Sequence, residues 1–188
     1  NVCDGTAMNF IQLSAVSSGS ITSTSWNFGD NNTSALNAPS HTFPSDGTYI
    51  VSLLVTSDAG CADSTTQVFT VEPLPVVDFT SVNACEGTSI QLTNNSTSAI
   101  GITSVDWTFG NGSVSTAFSP VVTYTNAGNY TIQLNVTDAN GCTQTSSVMI
   151  TSPSSVVLTS ASTNIQCYGM NNGTATITVT SGTAPFTY

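Results

Sequence analysis

Basic side chains are absent from this sequence: none of its 188 residues is lysine or arginine. It has ten aspartate plus glutamate residues and one histidine, so its formal net charge is −10 at pH 7. A chain without cations cannot neutralise a phosphate backbone or an anionic lipid surface, which argues against nucleic-acid binding and electrostatic membrane attachment. It also lacks the lysine or arginine needed for phosphate-binding loops, Schiff bases, arginine fingers and Lys–Asn crosslinks.

Long apolar runs and helical periodicity are also missing. No stretch reaches the roughly 18 apolar residues of a membrane span, so we predict no membrane insertion. No signal peptide is recognisable. Only 5% of residues are charged, and Ser, Thr and Asn make up about two-fifths of the chain. Such a composition is compatible with disorder, but 39% of residues are hydrophobic and they recur periodically, which favours a folded chain.

One short motif occurs twice. Trp26-Asn27-Phe28-Gly29-Asp30 returns 81 residues later as Trp107-Thr108-Phe109-Gly110-Asn111. Alternation of aromatic and polar residues is typical of a half-buried strand, and the Gly-Asp or Gly-Asn pair favours a tight turn. The predicted core residues share aromatic character and a repeated position: Trp26, Phe28, Tyr49, Trp107, Phe109 and Tyr130.

Further matched positions show that the whole unit is duplicated. The matches are Cys3-Asp4-Gly5-Thr6 with Cys85-Glu86-Gly87-Thr88, Pro39 with Pro120, His41-Thr42-Phe43 with Val122-Thr123-Tyr124, Gly47-Thr48-Tyr49 with Gly128-Asn129-Tyr130, and Gly60-Cys61 with Gly141-Cys142. A fixed period of about 80 residues with matched landmarks indicates tandem modules.

The strand pattern predicts an all-β fold of tandem antiparallel sandwiches. Predicted strands show alternating or β-branched residues: Met8–Leu13, Tyr49–Thr56, Gln67–Val71, Ile90–Thr93, Tyr130–Thr137, Ser147–Ile150, Val156–Ser160 and Thr174–Thr180. We expect one module over residues 1–72, a second over 76–151, and a truncated third β module over 154–188. The Pro73-Leu74-Pro75 linker favours an extended connection. The first module lacks a counterpart of the strand Val76–Phe79, so we expect the chain to be cut from a longer one.

The repeated motifs resemble the PKD domain, an immunoglobulin-like sandwich found in extracellular proteins. The resemblance covers residues 1–152 and rests on Trp26–Asp30, Gly47-x-Tyr49 with its alternating strand, and Gly60-Cys61. The second copy departs from the pattern at Asn111 and Val122, where the first copy has Asp30 and His41.

The last segment resembles the start of an SprB-type repeat. The resemblance rests on Cys167-x-Gly169, Asn172-Gly173-Thr174-Ala175, and Gly182 to Tyr188. Such repeats occur in very large surface adhesins of gliding Bacteroidetes, often beside PKD modules. The combination implies an extracellular or cell-surface protein of that kind.

Four of the five cysteines occupy matched positions in the two repeats, and Cys167 is left over. Their spacing predicts one disulfide per module, Cys3–Cys61 and Cys85–Cys142, with free buried thiols as the alternative. Zinc fits poorly because no pair has Cys-x-x-Cys spacing. For Cys167 we predict a partner beyond Tyr188.

No catalytic constellation can be assembled, so we predict that the chain is not an enzyme. His41 is a lone histidine for which we predict a structural role, and the acids are scattered singly through loops. Calcium is the one cofactor worth testing, at Asp30, with Asp58, Asp63 and Asp138 near the Gly-Cys turns. Asp63-Ser64-Thr65 resembles a Bacteroidetes O-glycosylation acceptor, which makes Ser64 a possible glycan site.

These features predict a stalk or spacer segment of a very large extracellular adhesin or filament, with a role in gliding motility possible. The alternative is an accessory region of a secreted polysaccharide- or protein-degrading enzyme. The expected partners are other modules of the same chain and an extracellular surface or polysaccharide. Direct carbohydrate binding ranks lower, because the aromatic residues occupy positions that look like core.

Overall fold

The computed structural model describes residues 2–169 and 171–186, and within these ranges it contains strands and no helix. The strands of residues 2–72 are β1 (Val2–Cys3), β2 (Met8–Asn9), β3 (Ile21–Asn27), β4 (Thr33–Ser34), β5 (Ser40–His41), β6 (Gly47–Ser57) and β7 (Ala62–Glu72). Those that follow are β8 (Phe79–Thr80), β9 (Ser89–Gln91), β10 (Thr93–Asn94), β11 (Ile102–Thr108), β12 (Val114–Ser115), β13 (Val121–Thr123), β14 (Gly128–Asp138), β15 (Thr143–Ser152), β16 (Val157–Thr163) and β17 (Thr174–Ser181). The predicted all-β fold is confirmed. None of the described residues belongs to a helix that is long and apolar enough to cross a membrane.

The chain divides into two compact units. The first comprises Asn1–Pro75 together with Asp138–Thr143, and the second comprises Val76–Thr137 together with Gln144–Tyr188. A short segment of the second sequence repeat, the turn that carries Cys142, therefore belongs to the first compact unit.

The first unit is built on a five-stranded sheet in the order β1-β7-β6-β3-β4, faced by the β2–β5 pair. The long strands β3, β6 and β7 pair antiparallel, whereas β1 pairs parallel with the end of β7, Cys3 opposite Glu72. In the second unit the main sheet has the order β12-β11-β14-β15. The pairs β10–β8 and β13–β9 form two further two-stranded sheets. In each repeat the main sheet and the smaller strand pairs contribute side chains to one shared core, which gives the sandwich that the alternating pattern predicts.

Each repeat buries one hydrophobic cluster. Trp26 and Phe28 are 6% and 2% exposed, and Trp107 and Phe109 are 1% and 3% exposed, as predicted for core residues. Tyr49 and Tyr130 are only partly buried, and their hydroxyl groups donate to the carbonyl oxygens of Ser45 and Asn126. The predicted Tyr positions therefore close the edge of the core and do not lie at its centre.

A glycine follows each buried Phe for a steric reason. Gly29 and Gly110 have φ values of +81° and +75°, and a Cβ atom at either position would lie 2.7 or 2.8 Å from backbone atoms of Ile50 or Thr131. The turn after the Trp strand thus needs both a left-handed backbone and close approach to the neighbouring strand.

The last hairpin, β16–β17, pairs Val157–Thr163 with Thr174–Ser181. Its strands are almost wholly exposed. The bounds of both strands lie within three residues of those predicted from the sequence, Val156–Ser160 and Thr174–Thr180. Thr187 and Tyr188, which contribute to the predicted SprB-type motif, lie outside the described residues.

The pattern of Met8–Leu13 predicts one continuous strand, but the strand in the structure comprises only Met8–Asn9. Leu13 is 85% exposed. The second repeat splits the equivalent stretch between β9 and β10.

Candidate functional site

A disulfide joins the two sequence repeats. Cys3 is bonded to Cys142, with their Cα atoms 5.5 Å apart and a sequence separation of 139. The predicted pairs Cys3–Cys61 and Cys85–Cys142 are therefore wrong. Cys61, Cys85 and Cys167 are free and exposed. A partner for Cys167 beyond Tyr188 stays a prediction.

The predicted Cys3–Cys61 pair fails because its two cysteines lie at opposite ends of one strand. Cys3 faces Glu72 at the end of β7, whereas Cys61 precedes Ala62 at its beginning. Ten residues of extended strand span about 33 Å, and a disulfide requires Cα atoms less than about 7 Å apart.

The same reasoning excludes Cys85–Cys142. The residue after Cys85, Glu86, donates its amide proton to the carbonyl of Pro153 beyond the end of β15, whereas Cys142 precedes the first residue of that strand. Spacing along the sequence shows which cysteines are equivalent in the two repeats. Whether two cysteines can form a disulfide depends on whether they lie at the same end of a strand.

The turn that carries Cys142 is held by a buried acid. The Asp138 carboxylate accepts hydrogen bonds from the amides of Asn140 and Cys142, both at 3.0 Å. In the first repeat the Ser57 hydroxyl takes this place and accepts from the Cys61 amide at 3.2 Å. Cys142 is fully buried and Asp138 is 2% exposed, so the bonded turn is the more enclosed of the two.

A second site lies beside the first Trp motif, where Asp30 pairs with His41. His41 Nε2 is 2.8 Å from Asp30 Oδ2, and their side chains are 11% and 2% exposed. The imidazole stacks on the Phe28 ring at 4.0 Å and meets Phe43 edge-on at 4.8 Å. His41 thus lies within an aromatic cluster, and a structural role for it stays a prediction.

The Asp30 carboxylate is engaged by hydrogen bonds within the protein. Its two oxygens accept from the Asn32 amide and from Asn32 Nδ2, each at 3.0 Å, in addition to the contact with His41. Burial acts to raise the pKa of Asp30, but the hydrogen bonds from Asn32 and the pairing with His41 outweigh it and leave the pKa below 3.8.

The other acids proposed for calcium also accept hydrogen bonds locally. Asp58 accepts from the Ser20 amide at 3.0 Å, and Asp63 accepts from the Ser64 amide at 2.8 Å. Throughout residues 2–169 and 171–186, no group of three or more His, Cys, Asp or Glu side chains is placed to hold a metal ion. Calcium binding at Asp30 stays an untested prediction. Ser64 is exposed on β7, and its glycosylation likewise stays a prediction.

The sequence carries a signal for the Asp30–His41 pair that motif reading missed. Both residues change together in the second copy, to Asn111 and Val122. A simultaneous change at two repeat positions indicates that the side chains are in contact, as they are in the structure.

These observations define a class of protein: tandem immunoglobulin-like modules, covalently joined by a disulfide, without an assembled catalytic centre in the described residues. The chain belongs to the PKD domain family, whose model matches residues 1–73 and 72–152. The SprB repeat model matches residues 159–188.

A curated relative supports the same assignment. The pre-pro-metalloprotease PrtV of Vibrio cholerae is 28% identical over 149 residues, which cover 78% of this chain and 16% of that protein. The chain thus spans about a sixth of the length of this relative, and the match falls on its PKD region.

Two solved structures are similar to a single module. The PKD1 domain of Vibrio anguillarum Epp is 36% identical, with 42% of this chain and 93% of that one covered and a TM-score of 0.39. The PKD1 domain of the Vibrio cholerae metalloprotease PrtV is 39% identical, with 42% and 96% covered and a TM-score of 0.39. The modules are of an accessory, non-catalytic type, and the family matches support an extracellular repeat or spacer protein.

Proposed function

We propose that this chain is a stalk segment of a very large cell-surface adhesin or filament, of the type that Bacteroidetes use in gliding motility. In this role it holds an adhesive part away from the cell. The observation that carries the proposal is the succession of two PKD modules and an SprB repeat in one chain of 188 residues. Repeats of different families that follow one another directly are suited to building length.

The covalent joint supports this role. The Cys3–Cys142 bond ties the two repeats together in addition to the Pro73–Pro75 linker. A disulfide of this kind persists in an oxidising, extracellular environment.

The composition supports exposure to the extracellular environment. With no lysine or arginine, the chain has no site for trypsin-like proteases. Its exposed faces are rich in Ser and Thr; on β7, for example, Ala62–Val68 are all exposed. Hydroxyl-bearing strands stay soluble without the charge that attracts nucleic acids or lipids.

The test is the mass and location of the intact parent polypeptide. An antibody raised against residues 76–152 would be applied to intact cells and to the culture medium, with a cytoplasmic protein as the leakage control. We expect a cell-surface product of several thousand residues. A released product of roughly a thousand residues would overturn the stalk proposal.

That second outcome supports the alternative function, an accessory region of a secreted protease or polysaccharide-degrading enzyme. The match to the PKD region of PrtV favours this alternative. The module that flanks residues 1–188 in the parent distinguishes the two: a catalytic domain supports the enzyme, and further repeats support the stalk.

A further inference from the structure

Asparagine is followed by glycine at three places in the chain: Asn111-Gly112, Asn140-Gly141 and Asn172-Gly173. In such a pair the backbone nitrogen of the glycine can attack the side-chain amide carbon of the asparagine, because glycine has no side chain to block the approach. A succinimide ring forms, ammonia leaves, and water opens the ring to aspartate or isoaspartate. All three asparagines are exposed, so exposure alone does not distinguish them.

At Asn111 the attacking and leaving nitrogens are both unengaged. The Gly112 amide, which supplies the attacking nitrogen, has no hydrogen-bond acceptor among the described residues. The Asn111 Nδ2 atom, which leaves as ammonia, donates to no acceptor within residues 2–169 and 171–186, since the side-chain bonds of Asn111 are made by its oxygen. Gly112 has a φ of +88°, and a Cβ atom there would meet nothing within 4 Å. The approach to the reacting carbon is therefore open.

Ser113 holds the side-chain oxygen of Asn111. The Ser113 amide donates to Asn111 Oδ1 at 3.0 Å, and the Ser113 hydroxyl donates to the same atom at 2.6 Å. Negative charge develops on this oxygen when the Gly112 nitrogen attacks the neighbouring carbon. Two donors that are already directed at the oxygen stabilise this charge without reorganising.

The other two pairs hold their reacting atoms in ways that oppose the reaction. The Gly141 amide donates to the Asp138 carbonyl at 3.1 Å, so the nitrogen that would attack Asn140 is engaged. At Asn172, Nδ2 donates to Gln166 Oε1 at 3.3 Å, and Oδ1 accepts from the Gln166 amide at 3.2 Å. The leaving group of Asn172 is therefore held in place by a hydrogen bond.

The first repeat shows that the same turn accommodates the product. Asp30 occupies the position of Asn111, and its Oδ1 accepts from the Asn32 amide at 3.0 Å. Asn111 Oδ1 accepts from the amide of Ser113, the counterpart of Asn32, at the same distance. An aspartate at position 111 therefore keeps its backbone donor.

We propose that Asn111 is a site of spontaneous deamidation and that it reacts before the other two Asn-Gly pairs. The Gly112 nitrogen gives up its proton to solvent and bonds to Asn111 Cγ. The Cγ–Nδ2 bond then breaks, and the departing nitrogen takes a proton from solvent and leaves as ammonia. One water molecule opens the succinimide. The product gains one negative charge, and its aspartate form carries the residue that the first repeat has at this position.

The test is peptide mapping of the full chain after incubation at mildly alkaline pH. Chymotrypsin suits a chain without lysine or arginine, and cleavage after Phe109 and Phe118 isolates Asn111 from the other two pairs. We expect the mass change from amide to carboxylate to accumulate at Asn111 at least about tenfold faster than at Asn140 or Asn172. An equal or faster rate at either of those two would overturn the proposal.

The same incubation in denaturant is the matched control. There the three pairs share only their sequence, and we expect them to react at similar rates. If the denatured chain showed the same preference for Asn111 as the folded chain, the structure would not be its cause and the proposal would fail.

A pair of variants tests the role of Ser113, which is exposed. Ser113→Ala removes the hydroxyl donor and keeps the amide donor, so deamidation of Asn111 in the folded chain should slow by about fivefold, the factor that one neutral hydrogen bond represents. Ser113→Thr keeps a hydroxyl and should react like the parent. An unchanged rate in Ser113→Ala would contradict the stabilisation assigned to this hydroxyl.

Discussion

The two repeats solve the same packing problem with different side chains. Below the Trp motif, the first repeat places His41 between Phe28 and Phe43 and holds it with the Asp30 carboxylate. The second repeat has Val122 in the place of His41 and Tyr124 in the place of Phe43. The Tyr124 hydroxyl donates at 2.8 Å to the Phe109 carbonyl, a bond that Phe43 cannot make.

The difference shows which parts of the repeat are required. The Trp indole donates at 3.0 Å to a carbonyl ten residues later in both copies, Leu36 in one and Ala117 in the other. The glycine after the Phe approaches the neighbouring strand in both copies. The polar contact near the turn is exchangeable, because the Asp30–His41 contact in one copy is replaced by the hydrogen bond from Tyr124 to the Phe109 carbonyl in the other.

The largest effect is expected from the disulfide. Replacing Cys3 and Cys142 together by serine should lower the stability by about 5 kcal/mol, the chain-entropy value for so long a loop. Denaturant unfolding of the oxidised chain measures it. The matched control is Cys61→Ser, which alters an exposed, unbonded cysteine in the repeat position equivalent to Cys142 and should change little. Equal losses in both proteins would contradict the assigned bond.

Replacing the glycine after a core Phe should cause the second largest loss of stability. Gly29→Ala places a methyl group 2.7 Å from the Ile50 carbonyl oxygen at a φ of +81°. We expect a loss of about 2–3 kcal/mol, since clash and backbone strain add. Gly60→Ala is the control: its φ is +80°, but the space around it is open. It should lose only about 1 kcal/mol. Thermal unfolding of both variants would reveal whether the close approach matters.

The Tyr124 hydroxyl should have an intermediate effect in the second repeat. Tyr124→Phe gives this position the residue of the first repeat and leaves the Phe109 carbonyl without its buried donor. We expect a loss of about 1–2 kcal/mol. Tyr130→Phe, which removes an exposed hydroxyl contact to Asn126, is the control and should have less effect. Equal stability of the Tyr124→Phe variant and the parent would show that water replaces the lost donor.

Asp30→Asn should have the smallest effect, and one that depends on pH. Because the folded pKa of Asp30 lies below its unfolded value, its ionised form stabilises the fold above about pH 4, and this is lost as the pH falls through the lowered pKa. We expect Asp30→Asn to lose about 1 kcal/mol at pH 7. Once the pH lies below the lowered pKa of Asp30, the variant and the parent should unfold alike. If the difference in stability between Asp30→Asn and the parent did not change with pH, the charge of Asp30 would not be its source.

Much of the fold follows from the sequence alone. The alternation in Tyr49–Thr56 and Tyr130–Thr137 predicts β6 and β14 to within two residues, because one face of each strand is buried. The repeated Trp and Phe locate both cores. The strand predicted at Met8–Leu13 is too long, because alternation in Ile11–Leu13 persists although nothing covers these side chains in the first repeat.

The disulfide could not be predicted from spacing, for a physical reason. A prediction from repeat spacing assumes that each cysteine bonds within its own module. In the structure the turn that carries Cys142 belongs to the first compact unit. The strand predicted from Gln67 to Val71 lies between Cys61 and Glu72, the residue opposite Cys3. The length of this strand was the one signal in the sequence that argued against a Cys3–Cys61 bond. The Asp30–His41 pair was signalled only by the joint change to Asn111 and Val122.

The Cys3–Cys142 bond also determines how this chain transmits mechanical load. When its two ends are pulled apart, tension that enters at Cys3 passes directly to Cys142 through the sulfur atoms. The residues between them, 4–141, lie in parallel with this covalent bond and are not stretched. At about 3.4 Å per extended residue, the bond withholds roughly 470 Å of chain. The buried core of the first repeat and most of that of the second lie within this protected length. In the oxidised chain only residues outside the loop can be drawn out under load, and reduction releases the rest.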